Sequence, residues 1–150
     1  VGFGNKMREM IQLGYSSCSL GKHYFSLAKR NLKECEANCF NRKRQKQLLY
    51  SFRSIIIVEA LTKGYRLTGE LIPDQWIKKN SIHTPVLKGF QQLRLAMQND
   101  VVLSEEERIV LLEVANVLMK SLSIKVNDLD TGSDLTRPLN EWLWEMLGVS

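Results

Sequence analysis

The feature that most constrains the fold is an apolar series at helical spacing in the middle of the chain. It comprises Leu48, Leu49, Phe52, Ile55, Ile56, Val58, Ala60, Leu61 and Tyr65. Steps of three and four keep apolar side chains on one side of an α-helix. Ile55-Ile-Ile-Val58 alone would also suit a buried strand, but its long periodic flanks lack turn residues and predict a helix. Thr68-Gly69 supplies the stop.

The same reading extends along the chain. An opening helical stretch is expected from about Asn5 to Asn38. Gly21 weakens its interior, so a break or kink is expected near Ser19–Lys22. Beyond it Tyr24, Leu27, Ala28, Leu32, Cys35 and Cys39 share a face. Glu70 to Ser81 reads as a loop around Pro73, Asp74 and Trp76. Thr84-Pro85 opens another helix, with threonine at the cap and proline at the first position. Val86, Leu87, Phe90, Leu93 and Met97 form its apolar side, and Asn99-Asp100 ends it. Ser104-Glu-Glu-Glu107 has the spacing of a capping box. The helix after it, Ile109 to Leu122, is apolar on nearly every face and is expected at the centre of a bundle or in a dimer interface. Asn127 to Ser133 reads as a polar loop, and Pro138 to Leu147 as a last short helix. No strand pair is apparent. The expected fold is all-α, a single domain of about five helices, antiparallel where connections are short.

A 150-residue chain is long enough to bury roughly 68–70% of its unfolded surface without a metal or disulfide. Apolar residues make up 44% and charged residues 25%, a balance typical of globular proteins that argues against disorder. No apolar run reaches the ~20 residues a membrane span requires. The opening Val1-Gly-Phe-Gly has no secretion-signal pattern and fits a processed or excised piece of a longer chain. Three cysteines, an odd number, fit reduced thiols and a cytoplasmic protein. Cys35 and Cys39 share a helical face, but with only His23 and His83 besides no zinc spacing appears. No metal or other cofactor is expected. His23 reads as a packing residue.

Phosphate-binding GxxxxGK[ST], HExxH and Asp-rich calcium loops are absent. Glu105, Glu106 and Glu107 complement a helix dipole rather than form an acid/base pair. The net charge is +5, and its placement is informative. Arg42, Lys43, Arg44 and Lys46 crowd a basic hinge at Asn41–Lys46. Arg53 follows, Lys29, Arg30 and Lys33 precede, and Lys78 and Lys79 lie in the later loop. Such a cluster can collect phosphates; a solvated helix end is the plain alternative. His83 stands directly before the Thr84-Pro85 cap, where it can meet a ligand or bond loop backbone. Trp142 and Trp144, two apart on the last helix, point to different faces: one for packing, one for a protein partner.

Phe52-Arg-Ser-Ile-Ile-Ile-Val-Glu-Ala-Leu-Thr-Lys-Gly-Tyr-Arg-Leu-Thr-Gly69, a loop, then Ile82-His-Thr-Pro-Val-Leu-Lys-Gly-Phe-Gln-Gln-Leu93 resembles the HEPN superfamily of helical domains. The first stretch looks like that family's long second helix, and His83 like the histidine opening its next. Glu59 matches a common acidic position. The resemblance covers about residues 22–122 and implies an up-and-down HEPN-like core. It further implies RNA cleavage, nucleotide or RNA binding, or pairing with a small nucleotidyltransferase, often as a homodimer. The ribonuclease branch carries an arginine a few residues before a histidine. Here Lys78 stands five before His83 and lacks the guanidinium fork. The resemblance therefore implies a non-catalytic binding member, using Lys43, Arg44, Lys46, Arg53 and the Lys78–His83 loop. A protein-interaction domain of a larger regulatory or scaffold protein, and a degenerate ribonuclease using His83, are the other readings.

Overall fold

The computed structural model describes residues 17–37, 39–62, 65–66, 85–129 and 137–138. Four α-helices lie among them: α1 (Ser17–Ala37), α2 (Arg42–Thr62), α3 (Pro85–Gln98) and α4 (Glu105–Asn127). The protein is all-α there, apart from a parallel pairing of β1 (Tyr65–Arg66) with β2 (Arg137–Pro138). The expected fifth helix falls away at its start, because Pro138 sits in β2. The remainder of that segment, with Trp142 and Trp144, lies outside the described residues. Two-residue strands carry no alternation that a sequence could show.

The hydrogen bonds fix helix direction. Arg44 at the start of α2 reaches Glu34 near the end of α1. Gln45 reaches Val101 and Leu103, between the end of α3 and the start of α4. Arg108 in the first turns of α4 reaches the Cys35 carbonyl. The C-termini of α1 and α3 and the N-termini of α2 and α4 thus share one end, and successive helices alternate in direction.

The central helix is α2, against which α1, α3 and α4 each pack more extensively than against one another. Ser54, Ile55, Ile56, Ile57 and Val58 are buried in unbroken succession. Apolar side chains all round a helix are what enclosure on every side requires. With Tyr24, Leu48, Phe52, Leu61 and Phe90 they form the fully buried core. Of the two places expected for α4, the centre of the bundle or a dimer interface, this corrects the first. Its outer face leaves Val110, Val117 and Ile124 exposed at 57%, 72% and 70%.

Local signals decide the helix ends. Ser104, extended at φ −66° and ψ 163°, caps α4. Its hydroxyl accepts the Glu107 N–H at 3.2 Å, and the Glu107 carboxylate accepts the Ser104 N–H at 3.0 Å. The α3 terminus is a Schellman turn: Asp100 is left-handed (φ 56°), its N–H donates to Met97, and the Val101 N–H donates to Ala96. The expected break at Gly21 does not occur. α1 runs through it, and a Cβ at this position would lie 2.5 Å from Leu129 Cδ1.

Candidate functional site

The basic segment is not a hinge. Asn41 caps α2, its side-chain oxygen accepting the Arg44 N–H at 3.0 Å and its carbonyl the Gln45 N–H at 2.8 Å. Arg42, Lys43, Arg44 and Lys46 therefore belong to the first turns of α2. No acidic residue stands in that first turn. Cations at the positive end of a helix dipole oppose it by about 0.3–1 kcal/mol each. This placement is not explained by helix stability.

The helix sorts these cations by direction. Arg42, Lys46 and Arg53, four and seven residues apart, fall on one stripe. Exposed Arg42 pairs with Asp100 at the end of α3. The Lys46 ammonium lies 5.8 Å from the centre of the Tyr50 ring. Half-buried Arg53 places its guanidinium carbon 5.5 Å from the centre of Phe90, and Arg94 of α3 approaches the same ring at 5.8 Å. Basic and aromatic side chains thus interleave along the α2–α3 side, with cations over ring faces. Exposed Lys43 flanks the stripe.

Arg44 turns the other way. Its guanidinium donates to Glu34 at 3.2 Å and to Gln47 at 2.8 Å, and Gln47 also donates to Glu34. These contacts tie α1 to α2 and place Arg44 apart from the stripe. Tyr50 and Arg94 were not singled out in the sequence. Their signal was the four-residue spacing of Lys46-Tyr50 and of Phe90-Arg94. Lys78, Lys79 and His83 lie outside the described residues.

The cysteines separate as well. Cys35 is buried in α1, its thiol donating to the Arg44 carbonyl at 3.2 Å. Burial pushes its pKa up to about 11, so it stays a neutral thiol. Cys39 lies beyond the end of α1 and is exposed, so the expected shared helical face is not formed. His23 is partly buried on α1, edge-on to Tyr24 with ring centres 4.9 Å apart. Among the described residues no group of three or more His, Cys, Asp or Glu is placed to hold a metal ion. None of the described helices is long and apolar enough to cross a membrane.

Comparison of the chain with protein-family models, with curated proteins and with solved structures returns no match.

Proposed function

We propose that this helical domain binds RNA or nucleotide phosphate, without catalysing a reaction, through the outer face of α2. The observation that carries the reading is the stripe Arg42, Lys46, Tyr50 and Arg53, with Lys43 beside it. Cations spaced along one helix contact successive phosphates, and the half-buried Tyr50 ring between Lys46 and Arg53 offers a face for a base. The dipole of α2 adds positive potential at the same end. The HEPN-like order of helices in the sequence supports the same reading, with the Lys78–His83 loop as a further contributor.

The test is a titration with labelled single-stranded RNA and with mononucleotides at low and moderate salt. The parent chain is compared with the charge reversal Arg42→Glu/Lys43→Glu/Lys46→Glu. Saturable binding should be lost in the variant. Each phosphate contact removed should lower the slope of log affinity against log salt by about 0.7. Binding of equal strength and equal salt dependence in both proteins would exclude this face.

A further inference from the structure

A second surface, remote in composition from the α2 stripe, lies between α1 and α4. It is an open groove of about 610 Å³. Phe25 and Leu32 of α1 and Met119 of α4 form its apolar floor. Lys29, Lys33 and Lys120, all exposed, stand around it. Phe25, Lys29 and Lys33 recur at steps of four and Leu32 lies three beyond Lys29, so α1 presents them together.

The one carboxylate among the described groove residues is Glu36, and Asn116 of α4 donates to its Oε1 at 2.7 Å. Three ammonium groups against one engaged carboxylate give the described lining a net positive charge. The apolar floor continues outward onto α4. Val117 belongs to the groove and is 72% exposed. Val110 and Ile124 flank it at seven-residue intervals, the period at which one helix meets another. From Val110 to Ile124 the seam runs roughly 21 Å at 1.5 Å per residue.

We propose that the α1–α4 groove docks an acidic amphipathic helix from a protein partner. Its apolar side rests on Phe25, Val117 and Met119, and its flanking carboxylates meet Lys29, Lys33 and Lys120. Helix-in-groove recognition lays the apolar face of an amphipathic helix into a hydrophobic groove, and Phe25 and Leu32 on one wall with Val117 and Met119 on the other supply that surface. Charge complementarity selects an acidic occupant. A second copy seated symmetrically on this face would set lysines against lysines, which costs binding energy. A nucleic acid would lay its phosphates along an apolar floor with one aromatic ring, a poor substitute for a stacking track. The inference is independent of phosphate binding by α2, since the two faces share no residue.

The probe is a labelled helical peptide of about 18 residues, roughly 27 Å long, with leucines at heptad a and d positions and glutamate and alanine elsewhere. Its counterpart carries lysine in place of every glutamate. Fluorescence anisotropy should show saturable binding of the acidic peptide and none of the basic one. Lys33→Glu/Lys120→Glu, at exposed sites, should weaken the acidic peptide by about tenfold or more and confer binding of the basic one. Val117→Asp should weaken the acidic peptide, and Lys43→Glu/Lys46→Glu should leave it unchanged. The proposal is overturned by an absence of saturable binding, by equal binding of both peptides, or by indifference to the groove variants. Displacement of the peptide by a mononucleotide would also overturn it, reassigning the groove to nucleotide. So would a dimer of the parent chain in sedimentation that Val117→Asp dissociates, which would name a second copy as the occupant.

Discussion

The side-chain amide of Gln45 holds the backbone of Leu103, its oxygen accepting the Leu103 N–H at 2.8 Å. The same amide donates to the Val101 carbonyl at 2.7 Å. Gln45 is fully buried in the midst of the exposed cations of α2. Its two bonds fasten the start of α2 to the connection that turns α3 into α4. Replacing it with leucine keeps the bulk but leaves both backbone groups without this partner. Gln45→Leu should cost about 1–3 kcal/mol. Urea unfolding will measure the loss, and the Tm should fall by about 2–4 °C per kcal/mol. An unchanged urea midpoint would show that water serves these groups equally well.

Gly89 marks the closest approach of α3 to the core. A Cβ at that position would overlap the Phe52 ring and come within 2.9 Å of Leu111 Cδ2. Phe52 is fully buried, so a shift of its ring must displace other close-packed core side chains. Alanine ordinarily favours a helix over glycine by about 1 kcal/mol. Here overpacking, about 1–3 kcal/mol, should outweigh that gain. Gly89→Ala is therefore expected to lower the Tm. Gly21→Ala should be milder, because its added methyl meets only the far end of Leu129.

The helices and their caps were legible because each depends on a few neighbouring residues. Ser104 and Glu107 contain the whole capping box, and Pro85 the start of α3. Which helix lies at the centre was not legible. Both α2 and α4 are apolar on several faces, and only packing decides that Ile57 is buried while Val117 faces outward. The basic run showed its charge in the sequence but not its directions. Asn41 as a cap converts a presumed hinge into helix, and that turns Arg42 toward Asp100 but Arg44 toward Glu34. Tyr50 and Arg94 went unnoticed because each looks like ordinary helix content until the cation above its own or a neighbouring ring is located.

The capping box of α4 should impose an acid limit on stability. Hydrogen bonds from the Ser104 backbone, and next its side chain, hold the Glu107 carboxyl below its usual value of 4.5. A hydrogen bond from Arg108 does the same for Glu105. A carboxylate whose pKa is lower folded than unfolded stabilises the fold above its unfolded value. That contribution disappears as pH falls through the folded value. Stability should therefore decline below about pH 4.5. Glu107→Gln can still accept the bond from Ser104 but cannot titrate. Its pH profile should be flatter there than the parent's, measured as urea midpoints across the acid range. Parallel profiles would show that Glu107 makes no contribution to the decline.

Lys43 offers a test in which stability and binding should move in opposite directions. It is exposed in the first turn of α2, where the dipole is positive and a cation is disfavoured. Replacing it with glutamate turns an unfavourable interaction into a favourable one. The gain should be about 0.3–1 kcal/mol, visible as a Tm raised by a few degrees at most. A surface that served folding alone would have no reason to keep the lysine. If the α2 face collects phosphates, the same Lys43→Glu protein should bind single-stranded RNA more weakly, with a shallower salt dependence. Thermal unfolding and RNA titration on one preparation separate the two effects. A rise in Tm with weaker RNA binding would mark the cation as retained for its ligand. A rise in Tm with unaltered binding would show that Lys43 does not touch the phosphates and confine the site to Arg42, Lys46 and the aromatic stripe.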